Sequence, residues 1–317
     1  SIDDVYYEGI EHVALVDTLY LDELGYRVRL IAKAMRRDDG ILVAVYPTAI
    51  PTDHPLATVR NEFNAIYSTG NMVGESMIYA LAKEGASIVV VDRNVDGANA
   101  VATNVEKEGG KAICVKADVQ STEDLDAMAN KAMDTFGSIN ILVNNAGARI
   151  IKGFLEHTKE DWDKMLGINL SGPFYCSQAI VPKMMTSGGG SIINVCSIAS
   201  YMGRPNRCAY VAAKSGLLGL TRTMAIDLAP KNIRVNGISP GMIASPFNQR
   251  FSEDEEMGSA WESDNLIGRW GKPEDVNGAV VFLASNESSF ITGSDIKVEG
   301  GWLAARARVG EKTIVSD

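Results

Sequence analysis

From Ala86 onward, short apolar runs alternate with amphipathic stretches of helical period. The runs are "SIVVVD" (87–92), "KAICVKAD" (111–118), "INILVNNAG" (139–147), "SIINVCS" (191–197), "IRVNGISPG" (233–241) and "DIKVEGG" (295–301). They are short and rich in Val and Ile, which suits strands. Between them, "VDGANAVATNVEKEG", "STEDLDAMANKAMDTFG", "KEDWDKMLGINLSGPFYCSQAIVPKMM", "YVAAKSGLLGLTRTMAIDLAP" and "KPEDVNGAVVFLAS" repeat their apolar positions with helical spacing. Strands that are apolar almost throughout are buried on both faces. The order therefore predicts an α/β fold, a doubly wound parallel sheet with helices on either side.

The first part of the chain reads differently. "YRVRLIAKAMRRDDGILVAVYPTAI" predicts two strands about an Asp-Asp-Gly turn. The preceding "LVDTLYLDELG" predicts a short helix stopped at Gly25, and "PTDHPLA" a proline-punctuated loop. A small α+β extension over 1–62 thus precedes a main domain over 63–302 and a tail over 303–317. For the main sheet to be wound in both directions, "FNAIYS" (63–68) must be its central strand.

Ligands of such sheets lie beyond the carboxyl ends of the strands, so the residues ending each run carry the most information. Those residues are Asp92, Asp118, "NNAG" (Asn144 to Gly147) and Ser197. "AYVAAK" then sets Tyr210 and Lys214 four apart, on one face of a helix. A lone YxxxK pair is commonly two exposed helix residues. This one follows a strand-end serine by thirteen positions and lies between "NNAG" and "SPG", and the ordered set marks a catalytic constellation.

Composition narrows the chemistry. The chain has 317 residues, 46% of them hydrophobic, enough for a full core. A net charge of -10 lacks the basic footprint that nucleic acid or an anionic membrane requires. His12, His54 and His157 share no motif with a serine, cysteine or carboxylate pair, so no metal and no Ser-His-Asp hydrolase is expected. Cys114, Cys176, Cys196 and Cys208 lack CxxC spacing and lie in or beside apolar stretches, as reduced thiols of a cytoplasmic protein would. No apolar run is long enough to span a bilayer. Ser1 in place of Met marks the chain as processed, trimmed or incomplete.

Over about residues 80–302 the sequence resembles the short-chain dehydrogenase/reductase family, in the subgroup of 3-oxoacyl-carrier-protein reductases and glucose dehydrogenases. The resemblance rests on "NNAG", "GINLSGPF", Ser197, "AYVAAK" and "SPG". It implies a Rossmann-like fold, a catalytic tetrad of Asn169, Ser197, Tyr210 and Lys214, and interconversion of an alcohol and a ketone by hydride transfer with NAD or, less expected, NADP. It implies cofactor contacts from Asp92, Asp118, Val119, Asn145, Ala146, Gly147, Pro240, Gly241, Ile243 and Ser245, besides Tyr210 and Lys214. A homo-oligomer, tetramer or dimer, is also implied.

The residues permit that chemistry on their own terms. A phenol of pKa near 10 becomes a usable acid/base when a neighbouring ammonium and a cationic nicotinamide favour the phenolate, which makes Lys214 the expected tuner of Tyr210. Ser197 can donate a hydrogen bond to the substrate oxygen. In the family, Asn169 holds a water that links Lys214 to solvent. Asp92 suits the adenosine ribose hydroxyls and repels a 2'-phosphate, which favours NAD. Arg93 is either a phosphate ligand or a solvated side chain, and Asp118 either a cofactor contact or a helix N-terminal residue.

Residues 1–79 resemble a piece of the substrate domain of homoserine dehydrogenase, through "EGI" (Glu8 to Ile10), "HPLA" (His54 to Ala57) and "NMVGESM". The lysine and aspartate of that family's chemistry would precede Ser1, so none of their roles is assigned here. The two resemblances meet near Tyr79-Ala80. In "YSTGNMVGES" the Thr69-Gly70 pair and Gly74 fall near the expected pyrophosphate, Ser76 stands where a third glycine belongs, and "LAKEGA" arrives two residues early for the family. Three readings follow: an active NAD(P)-dependent oxidoreductase; a hybrid scaffold with impaired cofactor binding and little turnover; and, least expected because its catalytic residues are missing, a homoserine dehydrogenase-related activity. The substrate is a small-molecule alcohol or carbonyl compound. The acidic run from Glu253 to Glu256 disfavours an anionic one.

Overall fold

The structure, a computed structural model, describes residues 18–21, 27–37, 40–49, 64–68, 72–245, 248 and 255–304. The chain forms two compact units, Ser1–Asn61 and Glu62–Asp317.

In the first unit, β1 (Thr18–Leu21), β2 (Arg27–Arg37) and β3 (Gly40–Ala49) form an antiparallel sheet in that order. Arg37 pairs with Gly40 across Asp38-Asp39, where the turn was expected. Residues 18–21 correct the expected helix. "TLYL", with its β-branched and aromatic side chains, pairs with β2 from Thr18↔Leu30 to Leu21↔Arg27. The rest of that expected helix and the loop at 51–57 lie outside the described residues.

The second unit is built on seven parallel strands: β4 (Asn64–Ser68), β5 (Ser87–Asp92), β6 (Lys111–Lys116), β7 (Ile141–Asn144), β8 (Gly190–Val195), β9 (Ile233–Pro240) and β10 (Asp295–Val298). Their spatial order is β10-β9-β8-β7-β4-β5-β6. β4 thus lies between β5 and β7, and the chain winds away from it in both directions, which opens a crevice at the strand ends.

Both faces of the sheet are covered, as the unbroken apolar runs predict. Ile88, Val90, Ile141, Val143, Ile193 and Ile238 pack with α1 (Met72–Lys83), α2 (Val95–Lys107) and Asn277–Ala284. The alternate residues Val89, Val91, Leu142, Ile192 and Val235 pack on the other face. Their partners are α3 (Thr122–Phe136), a helix at Gly172–Thr186 and one at Cys208–Leu228.

The single helix expected over 159–185 is interrupted. It consists of α4 (Lys159–Leu166), a π-turn at Gly167–Ser171 and α5 (Gly172–Thr186). The Cys208–Leu228 helix is α6. It is followed by α7 (Glu255–Ser263) and, after a 3-10 turn at Pro273–Val276, by α8 (Asn277–Ala284). Among the described residues no helix is long and apolar enough to cross a membrane. All four cysteines are unbridged, and Cys176 and Cys196 are buried.

Candidate active site

The candidate catalytic end is assembled from the ends of β7 and β8, the π-turn and the first turns of α6. Beneath it, a buried polar chain ties these elements together. Asn144 Nδ2 donates to Asn194 Oδ1 at 2.8 Å, and Asn194 Nδ2 to Thr221 Oγ1 at 2.9 Å. Asn144 also donates to Ser177 at 3.3 Å, and Ser177 to the Pro173 carbonyl at 2.7 Å. Such a satisfied network fixes β7 and β8 against α5 and α6.

Ser197 follows β8, caps a 3-10 turn by accepting from the Ala199 N–H at 3.1 Å, and is hydrogen-bonded to the Tyr210 phenol. Burial raises the Tyr210 pKa, while the Ser197 hydrogen bond and then the Arg149 and Arg207 guanidiniums pull it down. Lys214, the expected tuner, donates from Nζ to the Val195 carbonyl at 2.7 Å. Burial brings its pKa down to about 8, against an opposing pull from Cys196.

Asn169 is fully buried in the π-turn, its Nδ2 donating to the Ala148 and Met165 carbonyls at 3.0 Å each. The Ala148 N–H donates back to Asn169 Oδ1 at 3.3 Å. The flanking glycines explain why the turn fits. A Cβ at Gly167 would stand 2.4 Å from Gln120 Oε1, and one at Gly172 2.9 Å from Val119 Cγ2. A π-turn inside an α-helix re-aims the side chain it carries, here toward Gly147, whose own Cβ would be 3.2 Å from Asn169 Oδ1 and 4.0 Å from Lys214 Nζ.

Two cavities meet at Gly147. One is lined by Val73, Asn145, Asn169, Ser197, Tyr210, Lys214, Pro240, Gly241, Ile243 and Ser245, with Arg149, Arg204, Arg207 and Asn248. The other is lined by Asp92, Arg93, Asp118, Val119 and Ala146. The tetrad and the expected cofactor contacts thus fall on these two cavities, apart from the glycines of the β4–α1 turn. Gly74 is buried within α1, and Gly70 lies outside the described residues. Gly241 is crowded by backbone, since a Cβ there would meet Glu299 Cα at 2.7 Å.

The far cavity also clarifies the two residues left open. Arg93 Nη1 is 3.4 Å from Asp118 Oδ2, an exposed pair. Asp118 does not cap α3. That role is Ser121's, which accepts from the Asp124 N–H at 3.2 Å, while Asp118 Oδ1 accepts from the Gln120 N–H at 2.9 Å. Asp92 Oδ1 accepts from the Asn94 N–H at 2.8 Å, which fixes its carboxylate at the cavity edge. An acid at one end, a phenol with a buried lysine at the other and glycine at the junction fit an elongated dinucleotide.

Sequence reasoning passed over Arg149, Arg204, Arg207 and Asn248. The signal for the arginines was position, two residues past "NNAG" and inside "GRPNRCAY" between Ser197 and Tyr210, whereas no such signal marks Asn248.

The family model described as enoyl-(acyl carrier protein) reductase matches residues 70–303. The chain belongs to the short-chain dehydrogenase/reductase family. A second model, described as homoserine dehydrogenase, matches residues 1–92, so both models include residues 70–92. Cyclohexanol dehydrogenase of Acinetobacter sp. (strain SE19) is 38% identical over 252 residues, covering 77% of this chain and 97% of that protein. The 2-dehydro-3-deoxy-D-gluconate 5-dehydrogenase of Escherichia coli (strain K12) is 37% identical, covering 73% and 91%. The crystal structure of a gluconate 5-dehydrogenase from Burkholderia cenocepacia J2315, in complex with NADP and tartrate, superimposes with a TM-score of 0.75 at 33% identity, covering 80% of this chain and all of that one. The family and the relatives make this protein an oxidoreductase of Rossmann-like fold.

Proposed function

We propose that the protein interconverts a secondary alcohol and a ketone with NAD, using Tyr210 as the acid/base. The observation that carries this reading is the hydrogen bond between Ser197 and the buried Tyr210 phenol in a cavity that also holds Lys214 and Asn169. The dinucleotide, when bound, supplies or takes up the hydride. The phenol gives a proton to the substrate oxygen in reduction and takes it in oxidation. Ser197 donates to the same oxygen, where charge develops. Lys214, with a pKa brought down to about 8, is poised to pass a proton near neutral pH, and Asn169 fixes the Ala148 backbone beside it.

Asp92, Arg93, Asp118, Val119, Asn145, Ala146, Gly147, Pro240, Gly241, Ile243 and Ser245 would hold the cofactor, with Asp92 favouring NAD over NADP by accepting from the ribose and repelling a 2'-phosphate. A cytoplasmic homo-oligomer is the assembly expected of such an enzyme. A substrate panel followed at the NADH absorbance tests the reading. Turnover that falls by at least about 10-fold in Ser197→Ala, as for a lost hydrogen bond to developing charge, supports it. Turnover unchanged by that substitution would remove Ser197 from the mechanism.

A second reading, a scaffold of feeble cofactor affinity, is favoured by one observation. Only residues 69–71 connect β4 to α1, and Ser76, within α1, turns its hydroxyl to Asn277 Oδ1 at 3.0 Å.

A further inference from the structure

One wall of the Ser197–Tyr210 cavity is a side chain that ordinarily gives way. Arg204 lines that cavity and lies near enough to Tyr210 to feel its charge. A loop arginine is long and rich in rotamers, so it usually swings aside for a larger ligand. Here it is pinned. Its Cζ lies 4.1 Å from the centroid of the Trp261 ring and 5.4 Å from that of Trp302, and the two rings are stacked with centroids 5.7 Å apart. Each ring is itself held. Trp261 belongs to α7, whose Gly258 carbonyl accepts from the buried Trp270 Nε1 at 3.2 Å. Trp302 follows a turn at the end of β10 in which Gly300 and Gly301 are left-handed, with φ of 66° and 83°, and Glu299 Oε2 accepts from the Leu303 N–H at 2.8 Å. A Cβ at Gly301 would stand 2.9 Å from Leu266 Cβ, so this turn lies against the segment that follows α7. Three segments far apart in the chain thus meet on one guanidinium. Burial brings the Arg204 pKa down to about 10, so at neutral pH the side chain keeps its charge and its attraction to the ring faces.

A pinned wall sets a size limit. The cavity holds about 110 Å³, whereas an apolar cavity of about 150 Å³ takes one benzene. Pro240, Gly241 and Ile243, expected contacts of the dinucleotide, line the same cavity, so the space left to the substrate is small. We infer that Arg204, held by Trp261 and Trp302, is a specificity-determining residue that limits the substrate to a compact alcohol or ketone, a single ring or a chain of similar bulk. The inference deepens the hydride-transfer reading and rests on it for the reaction, though not for the selection by size. It concerns size and not charge. The expectation against an anionic substrate came from the acidic run at 253–256, where Glu253 and Asp254 lie outside the described residues and the side chains of Glu255 and Glu256 are not described.

Calorimetric titration of the whole protein with cyclohexanone and the two-ring ketone decalone, in excess NAD, reads the selection without turnover, because the oxidised dinucleotide cannot reduce a ketone. Burial alone would favour decalone by about 4-fold for each added methylene. Tighter binding of the smaller ketone therefore marks a steric limit, and a preference of at least about 10-fold for cyclohexanone is expected. Trp261→Ala and Trp302→Ala should each tighten decalone by about 10-fold, the scale of one desolvated cation–π contact, and leave cyclohexanone within about 3-fold. Trp261→Phe keeps a ring under the guanidinium and should keep the preference. Arg204→Ala, between the exposed Gly203 and Pro205, should widen the site in the same way without altering α7 or the turn at Trp302. Equal or tighter binding of decalone by the unaltered protein, no binding of either ketone, or an unchanged ratio in Arg204→Ala would overturn the inference. Selective binding of cyclohexanone without its reduction by NADH or NADPH would instead overturn the hydride-transfer reading and leave the size limit standing.

Discussion

The two ends of the crevice are built to different standards. At the catalytic end, Asn169, Ser197, Tyr210 and Lys214 each have hydrogen-bond partners, and a buried Asn144–Asn194–Thr221 chain holds the strands beneath them. At the β4–α1 end, the sequence brings "LAKEGA" two residues early for the family, twelve positions from Thr69 to Leu81, and places Ser76 where a third glycine is expected. The catalytic end comes wholly from sequence with one family resemblance. α1 falls where the two family models overlap, at residues 70–92, whereas β4 is matched by the homoserine dehydrogenase model alone. A site spread over several strand ends tolerates a graft at the edge of its sequence, whereas a phosphate-binding turn depends on consecutive backbone N–H groups.

That contrast can be broken by rebuilding the weaker end. Replacing residues 61–80 with a standard strand and T-G-x-x-x-G-x-G turn should restore about two hydrogen bonds to charged oxygens, a gain in NAD affinity of about 10²- to 10⁴-fold. Energy transfer from protein tryptophans to NADH reads it directly. Micromolar NADH binding by the unaltered protein would erase the contrast.

Asp92 sharpens the comparison from the ribose side. Asp92→Ala should narrow the preference for NAD over NADP by about 10-fold, the scale of one unit of like-charge repulsion. Competing titrations with the two dinucleotides measure it. A parent protein that already prefers NADP would transfer the role to Arg93, which stands beside Asp118.

Much of this was legible in the sequence because the strands are buried on both faces and so carry unbroken apolar runs. "SIVVVD" is β5 residue for residue, and "FNAIYS" supplies the central β4 because the winding requires a strand there. Tyr210, Lys214 and Ser197, which line one cavity, stood out through their order between "NNAG" and "SPG". Three features did not, because each depends on a distant partner. The π-turn at Gly167–Ser171 is flanked by glycines that lie close to Gln120 and Val119, residues more than forty positions earlier. The strand at Thr18–Leu21 is set by pairing to β2. The arginine cluster joins residues of two separate loops, and no local period marks it.

The smallest effect concerns stability at the catalytic end. Lys214 has a folded pKa of about 8, below its ordinary 10.5. Between those values the unfolded chain binds the extra proton, so stability rises with pH across that window, and the full cost of burial is borne below pH 8. Lys214→Met should therefore stabilise the fold by about 1–3 kcal/mol at pH 7. Its advantage should fade as the pH approaches 10.5. Urea denaturation at pH 7 and pH 10 checks the sign, and an advantage that grew with pH would contradict the assigned direction.

The most direct test of the central claim, that Tyr210 is the acid/base of a hydride-transfer site, is turnover by Tyr210→Phe at saturating dinucleotide. Phenylalanine keeps the ring and removes only the hydroxyl that meets Ser197 and the substrate oxygen. The account predicts at least about a 10²-fold loss of turnover, the low end for removing general acid/base catalysis, with NADH binding retained. Undiminished turnover in that variant would contradict it.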